Sequence, residues 1–200
     1  MPKPDVTEER KNQIIAAATA VFAEKGFYEA RMDDIVEASG LSKGTLYWYF
    51  DSKDAIIFAI LDDFFNQELA GMEQLASAEI SAGEKIKLLI QQMTLDVHAL
   101  TIYQSIALEF YALANRREEV RLTLLDYFKT FQIGIGQLIQ QGINEGEFRL
   151  VDPTLMAGVL ISQLEGVVLL WAFDPQNFDL QTYTTTSIDL FITALSAHPP

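Results

Sequence analysis

One stretch near the N-terminus decides how the chain folds: Ser39-Gly40-Leu41-Ser42-Lys43-Gly44-Thr45-Leu46-Tyr47-Trp48-Tyr49-Phe50-Asp51-Ser52-Lys53. Its centre is predicted to be a short helix with an apolar side formed by Leu41, Leu46 and Phe50. Ser42 suits the N-cap of this helix. Gly40 lies where the chain must reverse sharply, because glycine tolerates left-handed backbone angles. A sharp turn followed by a short helix with a polar outer side is the pattern of a helix-turn-helix.

Helical periodicity continues on both sides of this stretch. The apolar spacing predicts a helix over residues 7–25, another over 32–39 and a long one over 53–75. Gly26 and Gly40 are expected to end the first two. In a helix-turn-helix, the second helix of the pair enters the DNA major groove and the first crosses the backbone. We therefore expect a DNA-binding domain at residues 1–53.

The remainder of the chain predicts longer helices, at residues 83–98, 101–114, 117–145, 153–173 and 180–196. Asp152-Pro153 is a strong helix start, with a capping side chain followed by proline. We find no strand pattern longer than four residues. The prediction is an all-α fold of nine or so helices. It has a three-helix helix-turn-helix domain, the linking helix 53–75, and a helical ligand-binding and dimerisation domain at residues 76–200.

The composition excludes several classes of site. The 200 residues contain no cysteine and two histidines, which rules out a disulfide scaffold, a thiolate zinc site and a cysteine nucleophile. No nucleophile elbow, phosphate loop or histidine pair with metal spacing occurs. We expect no enzyme activity, no metal and no cofactor. Since no apolar leader follows the charged N-terminus, we expect a cytoplasmic protein.

The most apolar segment, residues 155–171, raises the question of a membrane helix. Gln163 and Glu165 interrupt it, and no lysine or arginine flanks it closely. A spanning helix needs about 20 apolar residues with few or no charges. We therefore expect a helix buried in a core or an interface, and no membrane partner.

The net charge of −14 counts against nucleic acid, which usually binds a basic surface. The charge is uneven, however. Residues 1–53 carry seven basic and nine acidic side chains, a net of −2, and the remainder carries seven and nineteen, a net of −12. Any contact with DNA must therefore depend on where individual charges lie.

Three segments resemble the TetR family of bacterial regulators: Phe22-Ala23-Glu24-Lys25-Gly26-Phe27, Ile35-Val36-Glu37-Ala38-Ser39-Gly40, and residues 42–53. The resemblance implies a nine- or ten-helix dimer held by its last two long helices. It also implies a variable C-terminal domain that binds a small molecule and releases DNA. The DNA-facing positions that it implies are Ser42, Lys43, Gly44, Thr45, Tyr47, Trp48, Tyr49 and Lys53.

Each of these positions has chemistry that suits DNA. The Ser42 hydroxyl and the amides after it suit phosphate, and Lys43 suits phosphate or a guanine edge. Tyr47 and Tyr49 offer hydroxyls, and the charge of Lys53 is expected to face the backbone. The outer side of this helix is expected to carry Ser42, Lys43, Thr45, Tyr47, Trp48 and Tyr49, and Lys53 begins the next helix.

The chain departs from the family pattern at the start of the second helix. Ala30 and Arg31 stand where family members usually place threonine or serine, and Arg31 offers a replacement phosphate contact. Asp33 and Asp34 suit the helix dipole but would repel phosphate if they point outward. Trp48 stands where smaller or polar residues are frequent.

The C-terminal half is rich in aromatic and methionine side chains, as in ligand sites between helices. The candidate ligand-binding residues are Met93, His98, Tyr103, Glu109, Phe110, Tyr127, Phe131, Gln163 and Trp171. We expect a mainly apolar, neutral or cationic ligand, because Glu109 and Glu165 lie within apolar stretches. Arg116, Arg117 and Arg121 lie beside Glu118 and Glu119, and are expected to form surface pairs. The predicted function is a repressor released from operator DNA by this ligand. The alternative is a helical adaptor that keeps the motif without specific DNA binding.

Overall fold

A computed structural model of the protein describes residues 6–95 and 111–197. The named helices in these ranges are α1 (Val6–Lys25), α2 (Met32–Ser39), α3 (Lys43–Tyr49), α4 (Lys53–Ala76), α5 (Ala82–Leu95), α6 (Glu118–Asn144), α7 (Pro153–Phe173) and α8 (Leu180–Leu195). Residues 111–114 are also helical. The described ranges contain no strand beyond one isolated bridge between Phe148 and Ser196. The all-α prediction is therefore confirmed, while most of the predicted helix 101–114 lies outside the described residues.

The helix ends follow the local signals. Gly26 and Gly40 have φ angles of 75° and 67°, the left-handed conformation that closes α1 and α2. The Ser42 hydroxyl accepts a hydrogen bond from the Thr45 amide and caps α3. Asp152 accepts from two amides at the start of α7, directly before Pro153. All eight helices begin within one residue of the predicted starts, because these signals act over one helical turn.

The first four helices share one apolar core. Ile14 and Phe22 of α1 pack with Ile35 of α2 and Leu46 of α3, and each is at most 1% exposed. Ile57 of α4 is fully buried in the same cluster. This cluster continues without a break into α5, α6, α7 and α8. Helix α4 thus contributes to the core of both halves of the chain.

Polar contacts fix α5 within the C-terminal half. The Glu147 carboxylate accepts hydrogen bonds from the amides of Ala82 and Gly83, at 2.9 and 3.0 Å, and so caps the N-terminus of α5. Lys85 is only 3% exposed. Its ammonium donates to the carbonyl of Ala76 at 2.8 Å and to the amide oxygen of Gln141 at 3.1 Å. These bonds join α5 to the last residue of α4 and to α6.

Among the described residues, helix α7 is buried on one side and exposed on the other. By length and composition it is apolar enough to cross a membrane, with a mean hydropathy of 1.8. Ala157 and Leu160 face the core, and Trp171 packs in a second small cluster with Val167 and Leu180. The opposite side carries exposed apolar residues: Leu155, Val159, Leu169, Leu170 and Phe173. Among the described residues α6 and α8 cover only part of the α7 circumference, so the core of one chain does not complete the burial expected in a core or an interface.

Candidate DNA-binding site and ligand-binding region

Helix α3 has two chemically different sides. Leu46 is fully buried, and Phe50, directly after the helix, is 6% exposed. Lys43 and Tyr47 lie on the exposed side, and Trp48 is 72% exposed. Tryptophan side chains are enriched at interfaces with partners. Helix α3 therefore presents a polar and aromatic surface that the other described residues leave uncovered.

The structure corrects the predicted position of Tyr49 on the outer side of α3. It is partly buried and packs against the main core, with its ring edge-on to Trp48 at a centroid distance of 4.6 Å. The reason is helical geometry, since a residue three positions after Leu46 returns to nearly the same side of the helix. Tyr49 therefore has a packing role in addition to any that its hydroxyl has.

The two aspartates that open α2 have different partners. Asp34 accepts a hydrogen bond from the Arg31 amide at 2.7 Å and pairs with Lys25 at 2.8 Å. These hydrogen bonds, led by that of Lys25, lower the pKa of the Asp34 carboxyl. Asp34 thus binds the amide of the N-cap residue Arg31, whose own side chain makes no capping hydrogen bond. The Arg31 side chain is left exposed at the start of α2.

Asp33 contacts α3, the recognition helix of the predicted helix-turn-helix. Its carboxylate lies 2.6 Å from the ammonium of Lys43, and both side chains are mostly exposed, at 69% and 61%. The hydrogen bond to Asp33 raises the pKa of Lys43. An acidic group therefore lies beside the first residue of α3, where the sequence predicts a DNA contact.

The Lys53 side chain is directed at backbone carbonyls of its own chain. Its ammonium donates to the carbonyls of Phe27 and Ala30, each at 2.6 Å, and to that of Tyr28 at 3.3 Å. It also lies 4.6 Å from the centroid of the Phe27 ring. These bonds use the three donors of the ammonium and tie the first residue of α4 to the turn before α2. Sequence reasoning missed this role, because the partners lie more than twenty residues away.

The candidate ligand residues do not form one group in the described part of the chain. Tyr127 stacks on Phe65, with Phe131 behind it, and both Tyr127 and Phe131 are core residues. Trp171 belongs to the separate small cluster, so the structure does not bring it together with them. Met93 is partly buried against the core, and Gln163 donates to the Ser187 carbonyl at 3.3 Å. His98, Tyr103, Glu109 and Phe110 lie outside the described residues.

A carboxylate within α7 has a partner that the sequence did not indicate. The Tyr111 hydroxyl donates to Glu165 at 3.0 Å, and burial raises the pKa of both groups. The position of Glu165 in the apolar segment was the only signal in the sequence. The pair is a polar, partly desolvated group between the helical residues 111–114 and α7.

Arg117 and Arg121, at the start of α6, both form ion pairs. Arg117, just before α6, pairs with Asp54 near the start of α4 and with Glu119. Arg121 pairs with Glu118, so both arginines form the expected surface pairs.

An open groove of about 820 Å³ lies between α1 and α4. No residue of that groove is among the predicted site residues.

The described residues include no cluster of three or more histidine, aspartate or glutamate side chains suited to a metal ion. A glycine-turned helix pair with an exposed second helix, joined by α4 to a larger helical half, defines a helix-turn-helix DNA-binding protein. The chain matches the family model of bacterial regulatory proteins of the tetR family at residues 14–60. It matches the model of the YsiA-like protein C-terminal region at residues 61–194. The chain therefore belongs to the TetR family and is a DNA-binding transcription regulator.

Known proteins resemble the chain over nearly its full length. The fatty acid metabolism regulator protein of Bacillus subtilis is 25% identical over 187 residues, which cover 92% of this chain and 94% of that protein. The structure of FadR from Bacillus subtilis in complex with stearoyl-CoA has a TM-score of 0.76 at 24% identity, covering 92% and 98% of the two chains. A transcriptional regulator from Saccharomonospora viridis in complex with choline has a TM-score of 0.83 at 19% identity, covering 94% and 98%. These two structures share the fold.

Proposed function

We propose that the protein is a repressor that binds operator DNA as a dimer and leaves it when a small apolar ligand binds. The observation that carries the DNA half of this proposal is the exposed side of α3, with Lys43, Tyr47 and Trp48 presented together. The major groove of DNA admits such a helix, and its side chains can read the base edges there. DNA binding also implies that the protein works in the cytoplasm.

The proposed DNA contacts are Arg31, Ser42, Lys43, Gly44, Thr45, Tyr47, Trp48 and Tyr49. Lys53 completes the set, although a phosphate contact there requires one of its carbonyl bonds to be exchanged. The alternative function, a helical adaptor without DNA binding, is supported only by the acidic net charge. Selection of bound sequences from random DNA, followed by binding at several salt concentrations, separates the two functions, since phosphate contacts make affinity fall with salt.

We expect Lys43→Ala to weaken operator binding by about tenfold, because the substitution removes the same interaction from both halves of the dimer. Tyr49→Phe removes only the hydroxyl and keeps the ring in the core, so its smaller effect would report the hydroxyl alone. The slope of log affinity against log salt concentration should become less steep by roughly one for each phosphate interaction that a substitution removes. Fluorescence anisotropy on the selected operator measures both effects.

Lys129→Ala is the matched control, because it removes an exposed lysine on α6, far from α3 in sequence. It should leave affinity and salt dependence close to those of the wild type. If Lys43→Ala and Tyr49→Phe also bind as the wild type does, α3 is not the DNA-contacting helix.

We place the dimer interface on α7 and α8. The exposed side of α7 follows the stripe Leu155, Val159, Ser162, Gly166, Leu170 and Phe173, spaced at three or four residues. An added Cβ at Gly166 would meet no atom within 4 Å, so that position is open for a partner helix. Tyr183 and Leu190 of α8 are 50% and 65% exposed. A four-helix bundle of two α7–α8 pairs would cover this surface.

In this proposal, helix α4 transmits the structural effect of ligand binding to the DNA-binding half. Helix α4 begins directly after the recognition helix and ends against α5 and α6, where Lys85 holds its last carbonyl. The Arg117–Asp54 pair adds a second link near the other end of α4. A ligand releases DNA only if it binds the DNA-incompetent arrangement more tightly. Operator DNA must then weaken ligand binding by the same factor.

We propose that the ligand is neutral or cationic, with Glu165 beside its polar end. The support is the partly desolvated Tyr111–Glu165 pair and the acidic balance of this half. The second candidate is a long-chain acyl-CoA, because FadR, which shares the fold, was solved with stearoyl-CoA. Its phosphates need cations, and Arg117 and Arg121 are already paired with acids.

Three probes test the ligand class: dodecyltrimethylammonium, dodecanol and stearoyl-CoA, each titrated with and without operator. We expect Glu165→Gln to weaken binding of the ammonium probe by about tenfold or more, as removal of a charged partner does, and to leave dodecanol unchanged. Because burial raises the pKa of Glu165, the ammonium probe should also bind more weakly as the pH falls through that raised value, where the carboxylate becomes protonated.

Tighter binding of stearoyl-CoA than of either other probe would overturn the neutral or cationic assignment. Equal ligand affinity with and without operator would leave the site without a regulatory role. Gln163→Glu is a useful comparison, since it adds an acid on the same helix without removing Glu165.

A further inference from the structure

The three lysines at positions 25, 43 and 53 are all held by acceptors within the protein. Lys25 pairs with Asp34, Lys43 with Asp33, and Lys53 with the carbonyls before α2. Two of these interactions are structural, because Asp34 caps α2 and Lys53 anchors α4. The Lys43–Asp33 pair provides no such cap or anchor within the described residues. Both of its side chains are more than half exposed.

An exposed ion pair is weak enough to exchange its partner. Asp33 therefore holds Lys43 only loosely, and a phosphate group offers the same ammonium an equivalent anionic oxygen. DNA that approaches α3 must displace the Asp33 carboxylate from Lys43 or accept a negative charge beside its own backbone. Either route costs affinity that the chain would have with a neutral residue at position 33.

We propose that Asp33 restrains DNA binding by occupying the ammonium of Lys43 in the free protein. The inference rests on the proposed interaction between Lys43 and phosphate, and it assigns a role to a residue outside the predicted contact set. Because phosphate contacts carry no sequence information, this restraint lowers affinity for operator and for random DNA alike. Its effect is to weaken the adhesion of the α3 surface to bulk DNA.

Asp33→Asn tests this restraint on a random-sequence duplex of about 30 base pairs, which is long enough for two half-sites. We expect the variant to bind about two- to fivefold more tightly than the wild type, the size of effect that a single exposed pair supports. The slope of log affinity against log salt concentration should steepen by up to about one for each copy of α3, which corresponds to one more counterion released from the DNA. The selected operator should show the same factor.

Asp62→Asn is the charge-matched control. Asp62 is exposed on α4, nine residues after Lys53, which is about 14 Å along the helix at 1.5 Å per residue. The Asp62→Asn substitution changes the net charge by the same amount and leaves the Lys43–Asp33 pair in place. A gain with Asp62→Asn equal to that with Asp33→Asn would overturn the proposal, because net charge alone would then explain the effect.

The pairwise mechanism is tested by repeating the substitution in the Lys43→Ala background. There Asp33→Asn should have no effect on affinity, since no ammonium is left to release. An equal gain in that background would overturn the proposal in favour of direct repulsion between Asp33 and phosphate. If the wild type binds duplex DNA and Asp33→Asn matches it, only this inference fails. If the wild type binds no duplex at any salt, the proposed function fails with it.

Discussion

A variant with Leu170→Glu and Phe173→Glu is expected to be monomeric and to bind the operator at least a hundredfold more weakly than the wild type. The two side chains are 57% and 74% exposed in the single chain, so glutamate there should not disturb the monomer core. In the proposed dimer they lie in the apolar seam between two copies of α7. Four buried carboxylates would be too costly for the seam to close.

The effect on DNA follows from the linkage of two recognition helices. A dimer places two copies of α3 on half-sites about 34–36 Å apart, or a multiple of that spacing. Joining two weak binding events raises the overall affinity by a factor of about 10² to 10⁴. Loss of the dimer removes this factor even though each α3 is intact.

Leu122→Glu with Leu125→Glu provides the control, because these residues are 52% and 49% exposed on α6. This variant gains the same charge and loses the same kind of surface, and should stay dimeric with unchanged operator affinity. Sedimentation and anisotropy are measured on both variants. A monomeric α6 variant beside a dimeric α7 variant would move the interface to α6.

Lys53→Met should lower the free energy of unfolding by about 2 kcal/mol, the scale expected when acceptor carbonyls lose a charged donor. Methionine keeps the apolar stem but leaves the carbonyls of Phe27, Tyr28 and Ala30 without the ammonium. The substitution also removes the charge that lies over the Phe27 ring. The turn before α2 would then be held less firmly against α4.

Urea denaturation distinguishes this structural role from a role in DNA contact alone. Lys129→Met, which replaces an exposed lysine on α6, should change the free energy of unfolding by less than about 0.5 kcal/mol. If Lys53→Met is equally neutral for stability but weakens DNA binding, the ammonium serves phosphate and its carbonyl bonds are incidental.

Local signals in the sequence determine the helix ends in both halves of the chain. Gly26, Gly40, Ser42 and Asp152 act on backbone groups within one helical turn of themselves, so the helix ends could be predicted from sequence alone. The order of Leu41, Leu46 and Phe50 placed the buried side of the recognition helix for the same local reason. The motif of residues 39–53 also carries much of the resemblance to the TetR family.

Other features depend on interactions between residues far apart in the chain, and only the tertiary structure decided them. The partners of Lys53, Asp33 and Glu165 lie on other elements, and no local pattern encodes which element packs against which. Tyr49 turned toward the core that α3 shares with its neighbouring helices, although Tyr47 and Trp48 stayed exposed. The periodicity of α7 could not reveal its uncovered side, since the segment is apolar almost all round. Packing of α6 and α8 against the opposite side leaves that surface open, and a second chain is what we propose to cover it.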